Sequence, residues 1–262
     1  MKIAIIENVG PDRNIDGPKN KGMEDRHFLI QSFMDTDSVL GGVFDGHIGK
    51  FASDYASKRF PEVFKTHLSK GIKEAFVFSF AQVSDELAAK DPSGSGTTAT
   101  VFLIQDGTIH VANVGDSKAI IVTDNEMVTL TEDHRTSNPD ELDRISHCKG
   151  ILFSDLKTRK AYVAEHGTKY GLEPTRSLGD IDYMKAGIID VPHVSTHKIS
   201  SQDLYLVSAT DGLWDFLEDW QVAIKAREIA DPEILVQKLN THVFADFWGH
   251  DNLTIIAVRL KE

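Results

Sequence analysis

The sequence predicts an α+β fold in which mostly antiparallel sheets are covered by helices. Three observations carry this expectation. Short apolar runs, alternating or unbroken, follow one another at the start, in the middle and at the end of the chain. Four longer stretches repeat apolar residues at helical spacing. Strands and helices come in batches, not in the strict alternation that builds a parallel sheet.

In chain order, "KIAIIE", "RHFLIQSF" and "VLGGVF" read as strands bounded by turn residues. A helix follows over Lys50 to Leu68, where Phe51, Tyr55, Phe60, Val63 and Phe64 fall largely on one face. A second spans Ile72 to Ala89. "TTATVFLI" and "TIHVANVG" are strands joined through "QDGT", a good hairpin turn. "KAIIVTD" and "MVTLT" continue the strand series. Asp133 to Asp180 is less regular and more polar, as expected of a mobile insertion beside a site. "VSTHKI" and "LYLVSA" return to strands. Helices follow at Asp219 to Ile229 and at Pro232 to Phe244, with Pro232 in a first turn. "LTIIAVRL" is the last strand.

With 41% hydrophobic and 26% charged residues over 262, the composition is that of an ordinary globular protein. No apolar run approaches the ~18 residues of a membrane helix, and "MKIAIIENVG" lacks the length and cleavage site of a signal peptide. The single cysteine, Cys148, excludes an internal disulfide and points to a reducing compartment. A cytoplasmic or nuclear protein is expected, or one whose sorting signal was trimmed. The net charge of −12 argues against general nucleic-acid binding, which rewards a basic face. A monomer is the default.

Most of the 40 acids fit a solvated surface. Those lodged in apolar sequence do not. Asp45 ends "GGVFDGH", Asp116 ends "HVANVGDS", and Asp211 ends "LYLVSATDGLWD" with Asp215 four residues on. Asp251 precedes the last strand, and Glu24 and Asp25 precede the second. Singly, each reads better as a turn or cap. Together, at one edge of stacked strands, they could not all stay ionised without compensation. No cluster of Arg and Lys sits in the same motifs to compensate them. Oxygen ligands, with no Cys or His in metal spacing, point to a hard ion, Mg²⁺ or Mn²⁺. Two such ions about 3.5–4 Å apart can hold a bridging hydroxide and clamp a phosphoryl group. The chemistry suggested is metal-assisted hydrolysis of a phosphate ester. Other phosphate chemistries fit poorly. "HCKGILFS" lacks the arginine of a cysteine-phosphatase loop, and "GSGTTAT" lacks the Gly-Lys-Ser/Thr of a P-loop.

"KGMEDRH", "GGVFDGHIG", "GSGTTATV", "ANVGDSKA", "LTEDH", "TRSLGDID", "ATDGLWD" and "HDNLTIIAV" together, in this order, resemble the signature blocks of the metal-dependent type 2C (PPM) serine/threonine phosphatases. The resemblance implies a four-layer sandwich of two antiparallel sheets flanked by helix pairs, with metals in a cleft at one end. It implies one catalytic domain over residues 1–262, with a variable flap around 133–180 that sets substrate choice. It implies that Asp45 bridges two Mg²⁺ or Mn²⁺ ions, that the Gly46 carbonyl and Glu24 each serve one, and that Asp211 and Asp251 hold the first. Asp25 would bond metal-bound water, and Asp116 and Asp215 would fit a weaker third position. His47 matches the general acid, a role an imidazolium can fill near neutral pH; from the residues alone, a histidine merely bonded to a carboxylate is an equal reading. Phosphoproteins would be the substrates.

Two positions depart from the family pattern. Asn20 stands where a phosphate-clamping arginine is usual, and Lys19 and Lys21 beside it could replace that charge in part. Ile48 stands where glycine is common. The missing arginine leaves a second reading open, a pseudophosphatase that keeps the fold as a binding or scaffold module. A third reading, a phosphohydrolase of small metabolites, would use the same metals.

Overall fold

The computed structural model describes residues 1–10, 22–91, 93–155, 160–168, 171–247, 249 and 251–261. Its elements run β1 (Lys2–Asn8), β2 (Arg26–Gln31), β3 (Val39–Phe44), β4 (Gly46–His47), α1 (Phe51–His67), α2 (Ile72–Lys90), β5 (Gly96–Thr97), β6 (Ala99–Gln105), β7 (Thr108–Val114), β8 (Lys118–Thr123), β9 (Met127–Thr129), α3 (Pro139–Ser146), β10 (Ile151–Ser154), β11 (Ala161–Ala164), β12 (Leu178–Gly179), β13 (His193–Lys198), β14 (Asp203–Ala209), α4 (Asp211–Trp214), α5 (Asp219–Glu228), α6 (Pro232–Thr241) and β15 (Leu253–Arg259).

Two five-stranded sheets have the orders β1-β15-β14-β8-β9 and β13-β7-β6-β3-β2, and their strand pairs are antiparallel. Side chains alternate across each strand, so β3 feeds two cores. Val39 and Val43 meet Phe102, Ile121, Leu206 and Ile256 between the sheets. Leu40 and Phe44 meet Phe60, Phe64, Phe76 and Phe80 of α1 and α2. On the far side, Val207, Ile255 and Ala257 pack on Val222, Leu235 and Leu239 of α5 and α6. The result is the expected helix–sheet–sheet–helix order. Gly41 is required by packing: a Cβ there would lie 2.5 Å from the Phe102 ring.

The hairpin read from "QDGT" closes with Gln105 opposite Thr108. Asp106 and Gly107 take φ of 50° and 67°, the left-handed pair that such a turn needs. The last helix stops earlier than its periodicity predicts. The α-helix ends at Thr241, and His242–Asp246 continue as one wider turn.

Residues 133–180 hold more structure than their composition suggested. Asn138 caps α3 by accepting from the Asp140 amide, with Pro139 in the first turn. β10 and β11 pair as a hairpin. A small cluster of Ile145, Val163, Leu172, Tyr183, Ala186 and Ile188 forms a core of its own. The fully buried Glu141 anchors α3: Arg144, Arg176 and Thr175 all donate to its carboxylate. Burial opposes that charge, and the two guanidiniums with the threonine overcome it, holding the carboxyl down at about 2.

Antiparallel pairing positions the acids. Where one strand ends, its neighbour begins: Phe44 of β3 lies opposite Arg26 of β2, and Ala209 of β14 opposite Ile255 of β15. Residues following β3 and β14 therefore share an end of the sandwich with residues preceding β2 and β15.

Phe60 joins α1 to the ring cluster of Phe28, Phe44, Phe64 and Phe80. Phe60→Ala should lower unfolding free energy by about 3–5 kcal/mol in urea titrations. A loss below about 1 kcal/mol would contradict this packing.

Candidate active site

Asp45 leaves β3 with its backbone fixed on both sides. Its carbonyl accepts from the Thr98 amide at 2.9 Å and from Thr97 Oγ1 at 3.0 Å, and its amide donates to Thr98 Oγ1 at 3.2 Å. The Gly-rich "GSGTTAT" segment thus serves as a clamp on this acid. At Gly46 the backbone passes so close to the Glu24 carbonyl and Ser53 that a Cβ would lie 2.6 Å from each of their oxygens. The Glu24 amide donates to Asn252 Oδ1 at 2.7 Å, and its Oε1 accepts from the Gly49 amide at 2.9 Å. Arg26 ties the same loop down by donating to the carbonyls of Met23 and Asp25 and to Asp54.

Asp25 is fully buried; its Oδ2 accepts from Thr210 at 2.8 Å and Thr254 at 3.0 Å, while Oδ1 has no hydrogen-bond partner among the described residues. Burial, helped by the charge of Asp251, raises this carboxyl to about 7 against the threonine hydrogen bonds. Asp45 and Asp211 are pushed well above the usual carboxylate range. Burial is the main cause for both, followed for Asp45 by the charges of Asp211, Asp25 and Asp251, and for Asp211 by those of Asp116, Asp215 and Asp251. Acids from five separate segments of the chain therefore act on one another here. Dehydrated oxygens crowded in this way fit a divalent cation, which would restore the ionised forms.

The motifs that carry the acids hold no cluster of Arg and Lys, but the fold brings two cations to one side of the site from elsewhere in the chain. Arg135 lies 2.9 Å from Asp116, 3.0 Å from Asp215, 3.2 Å from Glu173 and 3.7 Å from Asp211. Lys160, directly before β11 at the end of the hairpin where Ser154 pairs with Ala161, lies 2.6 Å from Glu173 and 2.5 Å from Asp215. Burial alone would raise Asp215, but these two cations hold it below its ordinary value. Asp116, Glu173 and Asp211 present oxygens within 4.8 Å of one another, the group with metal-ligand spacing among the described residues. Sequence reasoning found Asp116 and Asp211 but not Glu173, Arg135 or Lys160. Arg135 directly follows "LTEDH"; the other two lie in the irregular stretch, with no periodic signal.

His47 Nε2 lies 2.7 Å from Oδ2 of the fully buried Asp180, another residue the sequence reading passed over. Burial disfavours the imidazolium, but Asp180, with Asp116 and Glu24 behind it, outweighs that and raises the His47 pKa. Ile48 adopts φ of 58°. A β-branched residue is strained there, which is the physical reason a glycine suits the position. Its side chain packs against the small core under the hairpin. Asn20, Lys19 and Lys21 lie outside the described residues.

A family model described as "Protein phosphatase 2C" matches residues 17–246. An Arabidopsis thaliana "Protein kinase and PP2C-like domain-containing protein" is 30% identical over 257 residues, 93% of this chain but only 38% of that protein's length. "Protein phosphatase 2C homolog 1" of Saccharomyces cerevisiae is 26% identical, covering 98% of this chain and 94% of its own. The solved serine-threonine phosphatase 2C of Toxoplasma gondii superposes with a TM-score of 0.83 at 20% identity, over 98% of this chain and 94% of that one, which shows a shared fold. Among the described residues no helix is long and apolar enough to cross a membrane.

Two outcomes are expected. A folded-state carboxyl raised from 3.8 to about 7 takes up a proton on folding, so the stability it gives is complete below pH 4 and lost as the pH rises through 7. Chelator-treated protein should therefore melt at progressively lower temperature from pH 5 to 8, and millimolar Mn²⁺ should reverse the loss at pH 8. A melting temperature flat across that range would contradict the buried Asp25. Separately, Lys160→Met removes a cation from the Asp211–Asp215–Glu173 side and should tighten Mn²⁺ binding roughly 3- to 10-fold by calorimetry. Weaker binding would contradict the competition.

Proposed function

Because the chain belongs to the protein phosphatase 2C family, we propose that it hydrolyses phosphoserine and phosphothreonine in proteins, using two Mg²⁺ or Mn²⁺ ions. Glu24, Asp45, the Gly46 carbonyl, Asp211 and Asp251 would hold them. The observation that carries this reading is the crowding of the half-buried Asp45 and Asp211 against each other and against Asp251, with the fully buried Asp25 beside Asp45. When bound, the ions would supply an ionised water shared between them and neutralise the phosphoryl oxygens.

The remaining work falls to the chain's own groups. Asp25, whose Oδ2 accepts from Thr210 and Thr254, would accept a hydrogen bond from water beside the ions and so orient it. His47 would protonate the departing serine or threonine oxygen. Asp116 and Asp215 would serve a third, weaker cation position, with Arg135 and Lys160 as competing occupants. Substrate phosphate would be received by the segment carrying Lys19, Asn20 and Lys21. Residues 133–180, with the β10–β11 hairpin and its small core, would act as the flap of a single catalytic domain and select among phosphoproteins.

Turnover of a phosphothreonine peptide should require added Mg²⁺ or Mn²⁺ and vanish with a chelator. Asp45→Asn and Asp211→Asn should each lower turnover by on the order of 10³-fold, as expected when several kcal/mol of metal-assisted stabilisation is lost. Robust turnover without metal would overturn the mechanism. No turnover with metal bound would favour the binding or scaffold reading, and turnover confined to small phosphate esters would favour a metabolite phosphohydrolase.

A further inference from the structure

We propose that Asp180 is a positioning residue for His47, holding the imidazole so that Nδ1 is the nitrogen that hands its proton to the leaving group. The proposal rests on the reading of His47 as the proton donor.

Several independent features converge on Asp180. It is wholly buried, whereas the His47 side chain keeps 22% of its exposure. Its Oδ2 accepts from His47 Nε2 at 2.7 Å and from the Ser177 hydroxyl at 2.5 Å. Oδ1 has no hydrogen-bond partner among the described residues. A buried carboxylate with an unsatisfied oxygen is costly, and a fold that needed only a turn here could place glycine or asparagine instead. The backbone is also constrained. Asp180 takes φ 50° and ψ 38°, a left-handed conformation that is uncommon for a residue with a side chain. Its amide donates to the Ser95 carbonyl and its carbonyl accepts from the Tyr183 amide. Opposite it stands Gly96, paired with His47 across β4 and β5. A Cβ at Gly96 would collide with the Asp180 carboxylate. One strand has thus given up a side chain, and one turn accepts strain, so that a single carboxylate can sit under one histidine.

The consequence is chemical. A carboxylate accepts, so Nε2 carries a hydrogen and faces Asp180. As the bond from phosphorus to the serine or threonine oxygen breaks, its electron pair stays on that oxygen. The proton on Nδ1 moves to the oxygen, and the alcohol leaves neutral. The imidazole is left neutral with its Nε2 hydrogen still on Asp180. Without Asp180 the ring can rotate or hold its hydrogen on the other nitrogen. Alkoxide-like leaving groups then lose their proton source, while an activated aryl oxide, which leaves without one, does not.

The test compares wild type, His47→Ala, Asp180→Asn and the double variant, each on a phosphoserine peptide and on p-nitrophenyl phosphate with saturating Mn²⁺. Asparagine keeps the size and tolerates the left-handed backbone, and thermal melting within a few degrees of wild type confirms folding. Asp180→Asn should lose ~10-fold or more on the peptide and less than ~3-fold on the aryl phosphate, and should add little in the His47→Ala background. Nitrogen-15 spectra of the neutral His47 ring should show the Nε2–H tautomer in wild type and a mixture in Asp180→Asn. Ser177→Ala, a milder change on the same carboxylate, should move the same way by a smaller factor. Equal losses on both substrates for Asp180→Asn, with His47→Ala showing the split, would overturn the positioning role alone. Equal losses for His47→Ala itself would overturn the proton-donor reading beneath it.

Discussion

The organising constraint is the burial of like charges at one end of the sandwich. Asp45 and Asp211 emerge from the ends of strands whose sides are fully packed, β3 on both its faces and β14 likewise. Both acids are half-buried, and the backbone carrying each is held in place. Asp45 is clamped by Thr97 and Thr98, and Asp211 opens a helical turn packed against the sheet. The fold commits to this arrangement, and something positive has to complete it.

The protein meets that demand in two ways. On the side of Asp116, Asp215 and Glu173, Arg135 and Lys160 supply charge from within the chain. Around Asp45, Asp25 and Asp251 the raised carboxyl of Asp25 and its unpartnered oxygen mark a place suited to a cation from outside. Lys160 stands directly before β11 at the closed end of the β10–β11 hairpin, so the internal counter-charge is tied to that hairpin. Ile48 links the same two regions through apolar contact, in a strained conformation one residue from His47. The acidic end of the sandwich, the hairpin and His47 are thus joined through a short set of contacts.

Much of this was legible in the sequence, for identifiable reasons. The strands around the acids are apolar on both faces or alternate cleanly, and the aromatic stripe of α1 has helical spacing. An acid at the end of such a strand is visible because charge is unexpected there. The four-layer order and the gathering of Asp25, Asp45, Asp211 and Asp251 follow from antiparallel pairing. What escaped lies in residues 133–180. Ile151, Leu152 and Phe153 of β10 are exposed, so their apolar character marks no core. Asp180 follows Gly179 and looks like half of a turn; its burial depends on Gly96, which is distant in sequence. Arg135 and Lys160 resemble surface charges until the fold brings them against the carboxylates. Only the Asn138–Pro139 helix start carried a local signal that could have been read.

The central claim is that these oxygens gather around divalent ions. Anomalous diffraction from crystals grown with millimolar Mn²⁺ tests it most directly. The account predicts two strong peaks about 3.5–4 Å apart, enclosed by Glu24, Asp45, the Gly46 carbonyl, Asp211 and Asp251. Crystals of the same packing with no manganese among those residues would contradict it.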